Sequence, residues 1–138
     1  MSAPIEIRIV DNWDINEIVV LYRVAGWWRE GYESSSIPLL IKGSFIFAVA
    51  IDLGKAVGMG RVISDGISDG YIQDVVVFRE YRKKGVGKKI VLALLDECKK
   101  RGLGWIGLIA EPNSEQFYLP LGFRKLEDYV PLIYERSE

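Results

Sequence analysis

The sequence contains no histidine and only one cysteine, Cys98, among its 138 residues. Without histidine, the chain can have no imidazole-based catalytic triad, no imidazole general base and no histidine metal ligand. A single cysteine cannot form an internal disulfide, and a structural zinc site would lack its usual set of ligands. We therefore expect no bound metal and a chemistry carried by other residue types.

Long apolar stretches and a strong charge of either sign are also missing. The longest apolar run, residues 45–51, is too short to cross a bilayer, and residues 1–10 lack the basic and apolar segments of a signal peptide. A net charge of −1 argues against a general nucleic-acid binder. These absences predict a cytoplasmic protein that binds neither membranes nor nucleic acids.

The composition is that of a globular chain, with 49% hydrophobic and 27% charged residues. No repeat or linker divides the sequence, so we expect one domain over residues 1–138. The charge is uneven, because residues 1–69 carry 6 basic and 9 acidic groups while residues 70–138 carry 12 and 10. This excess of positive charge directs the search for an anion site to the second half.

Hydrophobic periodicity predicts strands and helices in alternation. Strands are predicted over residues 5–9, 45–51, 56–63, 71–78, 105–110 and 130–134, with 105–110 buried. Helices are predicted near residues 15–22, 36–42 and 86–98, and a short fourth helix is predicted to have Asn113 as its N-cap and Gln116 reaching back to it. The order β-α-α-β-β-β-α-β-α-β predicts a mixed α/β sheet with helices on its faces.

Residues 82–89, which we call the basic loop, join the third long strand to the main helix. Five of these eight residues are basic and two are glycine. A loop that enters a helix N-terminus presents unpaired main-chain N–H groups, and glycine lets a bulky phosphate approach the backbone. These features predict a diphosphate site, the alternative being a solvated turn whose glycines only permit a tight bend.

A second glycine motif, Gly102-x-Gly104-x-x-Gly107, matches the dinucleotide-binding pattern in the wrong context. It leaves a helix and enters a strand, whereas the dinucleotide motif leaves a strand and enters a helix. We interpret it as a helix stop followed by a tightly packed strand.

Two segments carry a family resemblance. Arg82-Lys83-Lys84-Gly85-Val86-Gly87 resembles the Q/R-x-x-G-x-G/A signature of the GCN5-related N-acetyltransferase (GNAT) family, and residues 117–123 look like its F/L-Y-x-x-L-G-F element. The resemblance covers residues 45–134 well, and over residues 1–44 only the β-α-α order agrees. It implies a mixed, mostly antiparallel sheet splayed at an acyl-CoA site, with helices on both faces and residues 1–44 on the acceptor side.

The resemblance also implies acetyl-coenzyme A as the donor, attacked directly by an amine. The donor's diphosphate would then lie on the main-chain amides of Arg82, Lys83, Lys84, Gly85, Val86, Gly87 and Lys88. Its pantetheine arm would run along Val75, Val76 and Val77, and an amide of Val76 or Val77 would stabilise the oxyanion. Tyr118 matches the position of the family's general acid, the alternative being a core tyrosine beside Phe117.

With no histidine available, the general base must be sought among carboxylates. Asp74 is the first candidate because it interrupts an apolar strand next to the implied acyl site, although it could instead lie on an exposed face or hold a β-bulge. Glu111, after a strand end, is a weaker candidate. Asn113 lies five residues before Tyr118, where many relatives have an asparagine seven before, so it is either a contact of the pantetheine arm or a helix cap.

Trp27, Trp28 and Tyr32, with Glu30 and Glu33, fall where the family's acceptor-binding segment usually lies. Aromatic rings and carboxylates would bind an amine through cation–π contacts and ion pairs. The alternative is that these rings cover the sheet or form a homodimer contact. Cys98 lies on the apolar face of the main helix, which favours a buried side chain over an acyl-enzyme nucleophile.

Taken together, the residues and the resemblance predict an acetyl-CoA-dependent N-acetyltransferase acting on a primary amine of a small molecule. Two alternatives remain open. One is a protein or peptide N-acetyltransferase that modifies N-terminal or lysine amines, and the other is a non-catalytic acyl-CoA-binding module.

Overall fold

The computed structural model describes residues 4–135, and over the first hundred of them the helices and strands follow the predicted order. The strands are β1 (Glu6–Ile9), β2 (Ile46–Asp52), β3 (Lys55–Ile63), β4 (Asp69–Val77) and β5 (Trp105–Gly107). The helices are α1 (Ile15–Val24), α2 (Ile37–Gly43), α3 (Val86–Lys100) and α4 (Glu115–Tyr118).

The chain forms two compact units, the first ending at Leu108 and the second beginning at Ile109. The single domain over residues 1–138 therefore stays a prediction. The prediction that residues 1–10 form no signal peptide lies partly outside the described residues. Among the helices of residues 4–135, none combines the length and apolar character needed to span a bilayer.

The sheet of the first unit has the order β1-β2-β3-β4-β5, with every pairing antiparallel except the parallel β4–β5 pair. This confirms the mixed, mostly antiparallel sheet. Residues 46–51 of β2 are all buried, as their continuous apolar run predicts for a strand covered on both faces. The β2–β3 turn places Leu53 and Gly54 at φ +51° and +78°, two consecutive left-handed residues that suit a tight hairpin.

Helices cover both faces of this sheet, as expected. On one face, α1 and α2 bury Ile18, Leu21 and Ile41 with Met59 of β3. On the other face α3 lies so close to β3 that a Cβ at Gly60 would stand 2.9 Å from Cγ2 of Ile90. The close approach of α3 therefore requires glycine at this point of β3. The apolar face of α3 covers this side of the sheet.

Two predictions for residues 105–116 are wrong. The fifth strand ends at Gly107 rather than at residue 110, and Trp105 is 51% exposed rather than buried. The N-cap of α4 is Ser114, not Asn113, and no side-chain capping bond with Gln116 forms. Asn113 has φ +67° and belongs to the preceding turn, where the Ser114 hydroxyl donates to the Glu111 carbonyl at 2.7 Å.

The strand predicted over residues 130–134 is also absent. Leu132, Ile133 and Tyr134 are each more than 80% exposed and belong to no strand. Pro131 is the second residue of this segment and has no N–H to donate to a neighbouring strand. The apolar run of residues 130–134 therefore does not form a strand here.

Candidate active site

The edge of β4 that faces away from β3 is only partly paired. Strand β5 pairs with β4 at residues 69–71 alone, so residues 72–77 have no strand partner on this side within the first unit. We call residues 72–77 the unpaired edge. Main-chain N–H and C=O groups on such an edge are available to a ligand that lies alongside like an additional strand.

Main-chain direction along this edge follows from one hydrogen bond. The N–H of Phe78 donates to the carbonyl of Val57 in the β3 segment at 2.9 Å. Because main-chain groups alternate in direction along a strand, Val76 also faces β3 and the N–H groups of Val75 and Val77 face the unpaired edge. Of the two oxyanion donors predicted, Val77 is thus the one directed to this edge, and its carbonyl accepts from Arg82 Nε at 3.1 Å.

The basic loop leaves a row of main-chain donors without acceptors. Gly85, the N-cap of α3, has φ +82° and provides no side-chain cap, and Lys83 has φ +61°. Throughout residues 4–135, no well-formed hydrogen bond is donated by the main-chain N–H groups of residues 83–88. The N–H of Arg82, also predicted to contact the diphosphate, is not available, because it donates to the Arg79 carbonyl at 3.1 Å. Consecutive unpaired N–H groups at the start of a fifteen-residue helix form an anion-binding concavity.

Side chains add positive charge around these amides. The basic residues of the loop are all exposed, and none forms an ion pair with a carboxylate in the described part of the chain; they are Arg82, Lys83, Lys84, Lys88 and Lys89. The Lys84 ammonium lies 5.8 Å from the centre of the Tyr81 ring, and the Tyr81 hydroxyl donates to Asp52 at 2.5 Å. A multiply charged anion would supply the negative charge that this loop lacks.

Asp74 occupies a β-bulge, which is one of the alternatives that the sequence allows for it. Its φ is +60° and its side chain is only 13% exposed. The Oδ2 atom accepts from the Tyr22 hydroxyl at 2.7 Å and from Arg61 Nε at 2.8 Å. Burial raises the pKa of the Tyr22 phenol far above its usual value, and the charge of Asp74 raises it further.

Tyr22 and Arg61 did not emerge as functional candidates from the sequence, although one signal was present. Arg61 is the one charged residue between Ala56 and Ile63, and Asp74 is the one charged residue between Gly70 and Val77. A lone charge in a buried strand needs a partner of opposite charge, so neighbouring strands with one such residue each predict an ion pair.

Two of the predicted acceptor-binding rings pack against Tyr22, and the third packs against one of those two. The Tyr22 ring is 6.2 Å from Trp27 and 6.4 Å from Trp28, and Trp28 is 5.5 Å from Tyr32. Trp27 and Trp28 also pack partly against the core, so the covering role is realised for them, whereas Tyr32 is 53% exposed. Glu30 and Glu33 are exposed.

In the second unit, Tyr118 is half-buried in a small aromatic cluster. Its ring centre lies 4.9 Å from that of Phe117 and 5.6 Å from that of Phe123. Burial raises the pKa of the Tyr118 phenol and the charge of Glu111 raises it further, so the hydroxyl keeps its proton at neutral pH. A protonated phenol can donate to a leaving group, which is the role that the resemblance implies.

The structure also shows the surroundings of Cys98 and Gly107. Cys98 is fully buried, and burial raises the pKa of its thiol, which makes it a poor nucleophile. Gly107 is tightly packed, because a Cβ there would stand 2.5 Å from the Trp105 ring. Among residues 4–135 there is no cluster of three or more side chains able to hold a metal ion.

Comparison with known proteins decides the family. Residues 13–123 match the family model described as "Acetyltransferase (GNAT) family". The chain belongs to the GNAT family of acetyltransferases. Membership makes it an acetyltransferase that uses acetyl-CoA, and it confirms the resemblance that two short motifs indicated.

Relatives and solved structures agree with this GNAT assignment. An "Uncharacterized N-acetyltransferase ycf52" of Pyropia yezoensis is 31% identical over 131 residues, which are 91% of this chain and 74% of that protein. A GNAT family acetyltransferase from Streptococcus pneumoniae superposes with a TM-score of 0.80 at 24% identity, covering 98% of this chain and 100% of that one. AAC(6')-Iy, solved with a CoA-containing bisubstrate analogue, gives 0.76 at 16% identity, covering 99% of each chain.

The names of other relatives differ in the acceptor. "Histone acetyltransferase TAP1" of Glycine max is 29% identical over 121 residues, which are 80% of this chain and 52% of that protein. "Serotonin N-acetyltransferase 2, chloroplastic" of Oryza sativa subsp. japonica is 33% identical over 77 residues, which are 56% and 38%. Membership of the GNAT family therefore fixes the donor and leaves the acceptor to be argued from this chain's own residues.

Proposed function

We propose that this GNAT chain transfers the acetyl group of acetyl-CoA to a primary amine of a small molecule by direct attack of the amine on the thioester. The observation that carries the proposal is the row of unpaired main-chain N–H groups over residues 83–88, surrounded by exposed lysines and an arginine. A diphosphate provides the acceptor oxygens and negative charge that this loop lacks.

The donor's acyl end would lie along the unpaired edge. Val75 and Val77 direct their main-chain groups to this edge, so a pantetheine arm can pair with them as a strand would. The Val77 N–H would then stabilise the negative oxygen that develops when the amine adds to the thioester carbonyl. Loss of one such donor typically costs about 2.7–4 kcal/mol of transition-state stabilisation.

The acceptor amine would bind through Asp74 and the aromatic residues. Both hydrogen bonds to the Asp74 carboxylate fall on Oδ2, which leaves Oδ1 for an ammonium group or for a water that takes its proton. Trp27, Trp28 and Tyr32 would contact the body of the amine, and their rings favour cationic or aromatic acceptors.

Proton transfers complete the reaction. An acceptor that arrives as an ammonium first releases one proton to solvent. The neutral amine then adds to the thioester carbonyl, loses its second proton to Asp74 directly or through water, and keeps the new C–N bond as the C–S bond breaks. The coenzyme A thiolate that leaves would take its proton from the Tyr118 hydroxyl. Asn113 is proposed as a contact of the pantetheine arm only, because its capping role is not realised.

Two alternatives follow from the names of relatives and from the residues. A protein or peptide acceptor is supported by the relative named histone acetyltransferase, and a small amine by the relative named serotonin N-acetyltransferase. The exposed ring of Tyr32 and its edge contact with Trp28 favour the small amine, because an aromatic or cationic body could lie against these two rings. A non-catalytic module would bind coenzyme A and turn over no amine.

One pair of measurements tests the proposal. Coenzyme A at a hundred times its Kd should stabilise the chain by about 2.7 kcal/mol, measured as a rise in Tm. Turnover is then measured with a panel of small aromatic and aliphatic amines beside lysine-containing and free N-terminal peptides. Turnover of peptides alone would contradict the small-molecule acceptor, and no stabilisation at millimolar coenzyme A would contradict the donor site.

The cytoplasmic location stays a prediction. Some relatives carry the word chloroplastic in their names. Similarity to those relatives does not determine the compartment of this chain. A homodimer likewise stays a prediction.

A further inference from the structure

The bulge in β4 can be located by the pairing with β3. Met59 is opposite Val76 and Arg61 is opposite Gln73, so two steps along β3 correspond to three steps along β4. One extra residue therefore lies in β4 between Gln73 and Val76. Asp74 lies in this stretch and has a left-handed backbone at φ +60°, a conformation that occurs in one class of β-bulge.

This bulge decides which main-chain groups reach the unpaired edge. Side chains and main-chain groups alternate along a strand, and one inserted residue reverses the alternation beyond it. Without the extra residue, the N–H of Val76 would face the edge and that of Val77 would face β3. The bulge therefore sets the position of the oxyanion donor that the proposed function requires.

Two side chains from different elements hold the bulge residue. Tyr22 of α1, 6% exposed, donates its hydroxyl to Asp74 Oδ2 at 2.7 Å. Arg61 of β3 donates Nε to the same atom at 2.8 Å, while its terminal nitrogens lie 3.4 Å from Gln73 Oε1 and 3.4 Å from Ser44 Oγ. The carboxylate is thus fixed from the helix and from the adjacent strand at once.

We propose that Tyr22 and Arg61 are positioning residues, which clamp the Asp74 carboxylate in its left-handed conformation and thereby direct the Val77 N–H to the unpaired edge. The functional part of this inference rests on the proposed acetyl transfer, and the structural part does not. Neither residue has to touch the substrate for this role, because both act through the backbone of Asp74.

The first test compares two substitutions of Asp74. Glycine adopts φ +60° without a clamp, whereas alanine is strained there. We expect Asp74→Gly to bind coenzyme A within about threefold of the unsubstituted chain and Asp74→Ala to bind at least about tenfold more weakly, by calorimetry. Equal losses of affinity in both variants would overturn the clamp. The base role proposed for Asp74 predicts in addition that kcat falls in both variants, and kcat is measured separately from Kd.

The second test removes only the Tyr22 hydroxyl. Tyr22→Phe should speed amide exchange at Val76 and Phe78, whose N–H groups face β3, by about tenfold in the ligand-free protein, since the bulge loses one of its two donors. Tyr71→Phe, on the paired end of the same strand, is the matched control and should leave these amides unchanged. In an Asp74→Gly background, Tyr22→Phe should add no further effect, because the contact is already lost.

Coenzyme A binding and amide exchange test the proposed function and the clamp on Asp74 separately. If the unsubstituted chain fails to bind coenzyme A, the proposed function fails, while the exchange rates of the ligand-free variants still judge the clamp. If coenzyme A binds and Tyr22→Phe leaves the exchange at Val76 and Phe78 unchanged, the clamp is wrong and the proposed function stands.

Discussion

The two ends of α3 are built in opposite ways. At its C-terminal end, the N–H groups of Gly102 and Leu103 donate to the carbonyls of Lys99 and Cys98, at 3.1 and 3.0 Å, and Gly102 takes φ +88°. Ion pairs at i,i+4 spacing accompany this end, including Arg101 with Glu97 at 3.0 Å. This end satisfies its main-chain groups within the protein and places positive charge where the helix dipole favours it.

The N-terminal end of the same helix does neither. No side chain caps it, no acidic residue stands in its first turn, and Lys88 and Lys89 place positive charge beside the positive end of the dipole. Each such charge costs about 0.3–1 kcal/mol at low salt. One end of α3 is therefore stabilised by groups of the chain itself, whereas the other leaves its donors for the anion that we propose to bind there.

The substitution with the largest expected effect, Tyr118→Phe, tests whether the acetyl-transfer step and the binding of coenzyme A depend on different residues. Tyr118→Phe should lower kcat by about a hundredfold, because the leaving thiolate loses its proton donor, and should leave the Kd of coenzyme A unchanged. Steady-state kinetics and calorimetry measure the two quantities. A loss of coenzyme A affinity with unchanged kcat would place Tyr118 in donor binding and not in proton transfer.

The pH profile sharpens the same prediction. An acid must be protonated to act, and the pKa of Tyr118 is raised above its ordinary value of 10.0. Loss of the acid form therefore moves to higher pH, and Tyr118 should cause no fall of kcat between pH 7 and 9. A fall in that interval which disappears in Tyr118→Phe would contradict the raised pKa.

An intermediate effect compares two pairs of lysines at opposite ends of α3. Lys83→Ala with Lys84→Ala should weaken coenzyme A binding by about tenfold or more, while Lys99→Ala with Lys100→Ala, the same change of charge at the other end, should change it less than about twofold. Added salt should reduce the difference by screening. Equal loss of coenzyme A affinity in both double variants would mean that net charge determines the affinity and that the basic loop has no specific role.

The smallest effect compares Gly85 and Gly102, two glycines that have left-handed backbone and open space where a Cβ would stand. Gly85→Ala and Gly102→Ala should each cost about 1–2 kcal/mol of unfolding free energy, because alanine is strained at positive φ. Only Gly85→Ala should also weaken coenzyme A binding, by about fivefold, since its methyl group obstructs the approach of a phosphate. Denaturation measures the unfolding free energy and calorimetry measures the Kd of coenzyme A. If Gly102→Ala also weakened coenzyme A binding, the two ends of α3 would not differ in the way proposed.

Much of the first unit could be predicted because its signals are local. The continuous apolar run of β2 indicates a strand that is buried on both faces. The apolar residues of α3 recur every 3–4 positions, which indicates a helix that is buried on one face. The position of the basic loop before α3 follows from the same patterns. The bulge at Asp74 could be raised only as an alternative, because it depends on the register between two strands and on a tyrosine 52 residues away in the chain.

The second unit was predicted less well for a physical reason. Whether residues 130–134 form a strand depends on a neighbouring strand, which no local pattern describes, and Pro131 removes one of the donors that such pairing needs. The cap of α4 shifted by one residue because Asn113 tolerates positive φ and so extends the turn. The aromatic pair of Tyr118 and Phe123, five residues apart, is local and its element was recognised.

The sheet order has a consequence for how the chain folds. Strands β2, β3 and β4 follow one another as two short hairpins, whose pairing closes small loops and is fast. Strand β5 joins by only three residue pairs, and only after α3 has crossed the sheet. We expect the two hairpins to form early in synthesis, and the β4–β5 pairing to form last and to open first. The least stable strand pairing of the sheet then lies next to the unpaired edge, along which we propose that the donor binds.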